Sequence, residues 1–527
     1  MPASGCSEIN WMNFRSKWRR ACYDAFSDLP GSLPRRRSRW ESRPMNQPAQ
    51  AVEAPISTRA YVIFGITAMT LMMMAINGFI VAVAFPTIKQ QFSTNLSLVG
   101  WVFTGFFLCS TVVLPLAGKL SDGFGRKRIY MLSVGLFTVA SLGCGLAPNV
   151  YVLIAFRMLQ GVAGGAVQLS ATGMVSDVFG SRRQTALGLF SSIYPIGAIL
   201  GPNVGGVLIE HFSWRAIFFV NLPLGVAVLI LGAMLLPYSK PEPRTAKIDF
   251  VGAVTYGAAV FLFLLALTDL SNHIDAYRTP LFWGYLLVAS VLMVLFVRQE
   301  RRVADPMVDL QVLKGRPFLS LNMYSFVYGV TVFAVIAFLP MNAQLTYQMS
   351  PSISGFVLTP RALTMIVAST AGAFLLSRTG YRMPLIVGVL FGSLATFLLS
   401  LGIHEPTILG FHVSNLITLS FIMGISGFGN GMVLPSMTNA GLDLAPGKVA
   451  STTALINLFS NTGNIVGTAV IILVMSQFED EGVGLRVMLL VMSGLVLCSI
   501  PLAFMFPDLG RRRRVPATPV TAGSAAE

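Results

Sequence analysis

The chain has 527 residues, 54% of them hydrophobic and only 11% charged, with 37 Lys+Arg against 22 Asp+Glu and a formal charge of +15. Soluble domains carry about 25% charged residues, so a water-solvated globule is excluded. Long uncharged runs reach or pass the ~18 apolar residues of a bilayer-crossing helix and lack the period-two alternation of a lipid-facing barrel, which leaves an all-α polytopic membrane protein.

Residues 1–59 form a basic tail. It lacks the apolar core of a signal peptide, and Arg35-Arg36-Arg37-Ser38-Arg39 with nearby prolines reads as disordered. Within it Trp11, Phe14, Trp18, Cys22 and Phe26 fall at helical steps beside Arg15, Arg19 and Arg20, the pattern of a helix lying on a membrane surface. A start at Met45 would remove that segment.

Fourteen apolar segments follow, near 60–84, 98–118, 129–147, 150–173, 186–208, 216–237, 250–268, 280–297, 317–340, 353–377, 383–403, 413–437, 449–476 and 487–507. They group as a six-helix bundle over 60–237, an inserted pair over 250–297 and a second six-helix bundle over 317–507, before a basic tail at 508–527. An even number of crossings puts both tails on one side. That side holds 31 of the 37 cations; the other holds Lys89, Arg215, Arg278 and Arg486, while Arg157 and Arg361 lie inside segments. The bias places both termini in the cytoplasm and directs the basic excess to lipid headgroups rather than nucleic acid.

Cys6, Cys22, Cys109, Cys144 and Cys498 are scattered, without C-x-x-C or zinc spacing. The histidines (His211, His273, His404 and His412) fall in or beside outer loops and read as solvated. No metal and no cofactor is expected.

The loop after the second segment runs Gly118-Lys119-Leu120-Ser121-Asp122-Gly123-Phe124-Gly125-Arg126-Lys127-Arg128. Its glycines permit a tight reversal, and Asp122 and Arg126 pair if their spacing is helical. A fainter version, Ala373 to Arg382, follows the tenth segment; it keeps Gly380 and Arg382 but loses the acid. This echo fits two halves related by a parallel repeat, with substrate bound between them at mid-depth.

In the fourth segment Arg157-Met158-Leu159-Gln160-Gly161 sets a guanidinium within the membrane, where it must face protein or water. Gln160, Gly161, Gly164 and Gln168 share its face. In the fifth, Gly197, Gly201 and Gly205 recur every four residues, a groove for close backbone approach, and Pro202 invites a kink ahead of Asn203 and Gly206. Trp214-Arg215 and Phe219-Val220-Asn221-Leu222-Pro223 open the sixth.

This ordered set resembles the major facilitator superfamily, specifically its 14-span drug:proton antiporter branch, over about residues 60–507. The resemblance implies that the loop from Gly118 through Asp122, Gly125 and Arg126 latches the two halves on the cytoplasmic side; a loop that only sets topology is the plainer alternative. It implies a coupling role for Arg157 with Gln160, against which stands an arginine bonded to backbone carbonyls. It implies that the Gly197–Gly206 stretch gates leak and direction, although close packing alone produces the same spacing.

One departure stands out. Aligned on Ala84-Phe85-Pro86, Asn77 occupies the place where this branch usually carries a membrane aspartate, and Ala82 the place of a common asparagine. An amide does not titrate. No Asp or Glu lies near the centre of any segment: Asp122, Asp177, Glu210, Asp249, Asp269 and Asp443 sit at ends or in loops. Proton coupling then runs through an end-located acid such as Glu210 or Asp122 by way of water, or the substrate brings the charge.

Candidate substrate residues are Met73 with its neighbours Met72 and Met74, Asn77, Gln168, Tyr324, Tyr328, Gln344, Arg361, Asn430 and Asn461. A mostly apolar pocket with a few polar anchors suits amphipathic organic molecules. The expectation is a monomeric exporter of such molecules in a bacterial plasma membrane, with the proton as counter-ion. Alternatives are a facilitator without proton coupling, a dedicated natural-product exporter, and a transporter-like receptor. Walker, H-E-x-x-H and G-x-S-x-G motifs are absent, so no enzyme is expected. In proteoliposomes under an imposed pH gradient, Asn77→Asp is expected to make transport more pH-dependent; an unchanged profile removes Asn77 from the coupling position.

Overall fold

The computed structural model describes residues 58–505 apart from 192, 238–248, 304–305, 307, 309–312, 314, 409 and 445–448. The expected surface helix at Trp11 to Phe26 and most of both basic tails lie outside the described residues.

Fourteen helices follow the fourteen apolar runs: α1 (Thr58–Gln91), α2 (Leu96–Phe124), α3 (Arg126–Gly145), α4 (Val150–Phe179), α5 (Ile193–His211), α6 (Asn221–Leu235), α7 (Phe250–Asn272), α8 (Pro280–Glu300), α9 (Arg316–Tyr347), α10 (Thr359–Thr379), α11 (Arg382–Ser400), α12 (Asn415–Leu444), α13 (Val449–Met475) and α14 (Glu481–Leu497). Among the described residues thirteen helices are long and apolar enough to cross a membrane; α5, which carries Pro202, Asn203 and Glu210, is not counted with them. A short helix, Pro351–Phe356, leads into α10.

The ends of these helices have local causes. Asn95, Asn149, Thr279, Asp249 and Asp480 cap α2, α4, α8, α7 and α14, each side chain accepting a backbone N–H of the first turn. Gly125 at φ +93° joins α2 to α3, and Gly380 at φ +80° joins α10 to α11, a region open to glycine without strain. Helix α9 is not uniform: Gly329–Phe333 is a π-turn, and Pro340 follows it.

Packing repeats with an offset of eight helices. Helix α4 lies on α2 and α3, and α12 lies on α10 and α11; α5 lies on α1, and α13 on α9. Glycines make each contact. A Cβ on Gly161 or Gly165 of α4 would overlap the carbonyls of Phe106 and Ser110, and one on Gly427 or Gly431 of α12 those of Arg361 and Met365. Gly197, Gly201 and Gly205 face α1 from Ala75 to Ile80, while Gly463 and Gly467 face the α9 backbone at Phe326 and Val330. Without water to drive association, such close backbone approach is what joins helices in lipid. The inserted helices α7 and α8 pack on each other, and α7 also on α2 and α13.

Chain entry to α1 and exit from α14 fall at one end, here the tail end, which also holds the Asp122 reversal; the opposite is the far end. Gly161→Ala and Gly427→Ala are each expected to cost about 1–3 kcal/mol through overpacking, read as a lower Tm in detergent. Gly392→Ala in α11, where a Cβ meets nothing within 4 Å, is expected to hold or raise Tm.

Candidate functional site

At the far end the two sets of six helices meet. Gln344 Nε2 donates to the Val83 carbonyl (3.1 Å) and to Ser354 Oγ (3.1 Å), and Asn203 Nδ2 donates to Thr359 Oγ1 (2.9 Å). Lys89 and Glu481 form an ion pair, and Phe85 meets Phe338 edge-on. Gly206 lies under the Pro351 carbonyl and Gly355 under that of Pro202, with no room for a Cβ at either. Gly206 and Pro202 therefore sit in the seam, while Gly197, Gly201 and Gly205 bind α5 to α1.

Glu210, just past the apolar run that ends at 208, accepts from the Ser352 N–H (3.0 Å). Hydrogen bonds from Ser352 and then Ser350 hold its carboxyl below the usual carboxylate range, with His211 adding to the effect. A depressed value means that the bridge is intact at neutral pH and is lost only as acid titrates the held carboxyl. Glu210 thereby ties the end of α5 to the chain entering α10.

At the tail end Arg126 binds Asp122 (3.2 Å), Asp177 (2.6 Å) and the Gly173 carbonyl. All three lie within α1–α6, so these bonds brace the first set of six rather than span the two. Gly118 packs on Leu169. In the repeat Tyr381 donates a hydrogen bond to Asp443, and Arg382 donates to the Phe504 carbonyl.

Mid-depth polar groups fall into two clusters. In the first, Asn77 is fully buried and its Oδ1 accepts from Asn221 Nδ2 (3.1 Å). Arg157, also fully buried, donates from Nε to the Val102 carbonyl (2.9 Å) and from Nη1 to Gln160 Oε1 (3.0 Å). Gln160 Nε2 continues to Ser141 Oγ (2.7 Å), and the guanidinium lies 4.4 Å from the Phe106 ring centre. The arginine thus clamps α2, α3 and α4 together, and no carboxylate among the described residues bonds it.

In the second cluster Tyr328 donates to Asn430 Oδ1 and stacks on Tyr324 at 6.3 Å, whose hydroxyl reaches the Leu385 carbonyl (3.5 Å). Arg361 lies in the first turn of α10, two residues past Thr359 of the seam, with its carbonyl against Gly427 of α12, three residues before Asn430.

Two expected substrate residues are placed elsewhere. Met73, on α1, belongs to the core cluster, at 1% exposure, and has no part in either polar cluster; Tyr324 at 0% and Tyr328 at 1% are as deeply buried. Gln344 belongs to the far-end seam, since α9 continues past the apolar run to Tyr347. Gln168 and Asn461 are half-buried on α4 and α13. An apolar cavity of about 1020 Å³ is bordered by Phe263, Trp283, Leu287, Met293, Phe326 and Thr462. It lies against the inserted pair, and no expected substrate residue lines it. Asn221, Thr359 and Ser352 were missed as functional partners; Asn221 was visible only as part of a motif, and the other two are ordinary cap and turn residues.

Comparison with known proteins agrees with this geometry. A family model described as Major Facilitator Superfamily matches residues 67–468 and, again, 321–525. The multidrug transporter protein MdtP of Bacillus subtilis is 32% identical over 367 residues, 69% of this chain and 66% of that protein. The tetracenomycin C resistance and export protein of Streptomyces glaucescens is 29% identical over 416 residues, 78% of this chain and 76% of that protein. A crystal structure of a mutant of the nucleoside transporter NupG shares the fold, with a TM-score of 0.62 at 11% identity, covering 85% of this chain and 100% of that one.

Two outcomes follow from the geometry. Arg157→Met is expected to lower Tm by the loss of charge-assisted bonds, on the order of 2–3 kcal/mol. With Asn203→Cys and Thr359→Cys in place, the ratio of disulfide yield in Glu210 protein to that in Glu210→Gln is expected to hold from about pH 8 to about pH 6, the thiolate fraction falling alike in both while Glu210 stays charged throughout; a ratio that falls over that range would make Glu210 a titrating gate.

Proposed function

The chain belongs to the Major Facilitator Superfamily, and from that premise we propose that it exports hydrophobic or amphipathic small molecules by alternating access. The observation that carries this reading is the seam at the far end: Gln344–Val83, Asn203–Thr359 and Ser352–Glu210 are separate polar bridges between the two sets of six, each weak enough to break. The tail end is assigned to the cytoplasm, from the distribution of Lys and Arg, so the seam closes the outward path. Helices α1–α6 and α9–α14 form the two rocking bundles, with α7 and α8 as an inserted pair, and the working unit is a monomer. Relatives named for multidrug transport and for tetracenomycin C export support an amphipathic cargo.

A specific observation favours the reading without a resident proton carrier. Every described Asp and Glu lies at a helix end or in a loop, and Asn77 is engaged by Asn221. A buried carboxylate whose affinity for protons changes with its surroundings is the usual coupling device, and none is found at mid-depth among the described residues.

The test is a reversible lock. Oxidising the Asn203→Cys, Thr359→Cys pair in proteoliposomes is expected to stop efflux of an amphipathic dye, and reduction to restore it. Full transport through the locked protein would reject alternating access at this seam.

A further inference from the structure

The fold holds two buried arginines and treats them differently. Arg157 has acceptors for Nε and Nη1, with its buried Nη2 left over. Arg361 is 9% exposed, its Nε has no hydrogen-bond partner, and it enters no ion pair among the described residues. A buried charge left in this way is strongly unfavourable unless something completes it. On the facing stretch of α12, three residues past the Gly427 that packs on the Arg361 carbonyl, Asn430 supplies a second stranded donor: its Oδ1 is taken by the Tyr328 hydroxyl, and its buried Nδ2 has no partner. The Tyr328 ring lies parallel to that of Tyr324, at an interplanar angle of 10°. The π-turn starts at the next residue, Gly329, and such turns recur at functional sites.

Donors without acceptors, next to stacked aromatic rings, define a complement. We propose that Arg361 and Asn430 bind the anionic group, a carboxylate or sulfonate, of an aromatic amphipathic substrate. This rests on the exporter reading and gives it a substrate class. It also supplies a driving force where no acid lies at mid-depth among the described residues. Moving one negative charge outward across an inside-negative membrane is favoured by roughly fifty-fold per 100 mV, without a proton.

The test uses the full chain in lipid nanodiscs and two fluorescent probes, anilinonaphthalene sulfonate and N-phenylnaphthylamine, which has the same rings without the sulfonate. Arg361→Gln is expected to weaken sulfonate binding about tenfold or more and the amine by less than about twofold, the scale of one charge-assisted contact. Arg361→Lys should keep part of the preference. Tm of Arg361→Gln should equal or exceed that of the native chain, because an uncompensated charge is removed; a structural arginine would lower it. Asn430→Asp, which sets a carboxylate on the facing stretch of α12, should abolish the sulfonate preference by itself and covers the case in which Arg361→Gln does not fold. No Arg361-dependent preference for the sulfonate, or equal loss of both probes with a lower Tm, overturns the site. Amine efflux without that preference sinks the site and leaves the exporter reading standing. Arg361-dependent binding with no efflux of either probe under a potassium diffusion potential does the reverse.

Discussion

Inside a bilayer no expulsion of water pulls helices together, so cohesion depends on how closely backbones approach, and glycine sets that distance. Two kinds of contact recur in this chain: α4 on α2 through Gly161 and Gly165, copied as α12 on α10 through Gly427 and Gly431, and α5 on α1 through Gly197, Gly201 and Gly205, copied as α13 on α9 through Gly463 and Gly467. Each set of six is held by tight backbone seams that a methyl group would spoil. Between the sets, at the far end, one glycine seam of the same kind, Gly206 on Pro351 and Gly355 on Pro202, is flanked by side-chain bridges from Gln344, Asn203 and Glu210.

The polar interior follows the same economy. Arg157 binds a carbonyl and an amide, and the amide binds Ser141, so its charge is spent on holding three helices in place. Asn77 and Asn221 satisfy one another in part. The second half has no matching clamp: Arg361 is buried with no acceptor for its Nε, and Tyr328 is already committed to Asn430. Both halves leave a buried donor over, Arg157 Nη2 and Asn77 Nδ2 in the first and Arg361 Nε and Asn430 Nδ2 in the second, but only the first binds its arginine to other helices. The repeat therefore conserves packing while leaving the chemistry free to diverge.

The fold was almost fully legible in the amino-acid sequence, because lipid admits few solutions: the fourteen apolar runs are the fourteen helices. The reversal at Asp122 and the glycines of α5 were also visible, since tight turns and close approach demand particular residues. The repeat was only faintly visible in its loops. Its stronger form lies in glycine faces on α12 and α13, which a linear reading takes as ordinary packing. Where the polar candidates fall has a physical reason. A polar residue in an apolar run must find a partner, but the run does not say which. Gln344 reached across the seam because α9 runs longer than its apolar stretch, and Met73 joined the core cluster because flexible side chains fill cores as readily as they line pockets. Arg157 and Arg361 look alike in a string of letters; only their neighbours tell a strut from a socket.

The π-turn at Gly329–Phe333 adds a residue to one coil of α9. An added residue advances the spiral by about 100°, so α9 behaves as two rods of different phase joined end to end. The rod before it aims Tyr324 and Tyr328 at Asn430 and Leu385, inside its own bundle; the rod after it aims Phe338 and Gln344 at Phe85 and Val83, across the divide. A single strand of protein thereby faces two ways, and a twist at that joint would be felt at once by the socket and by the door.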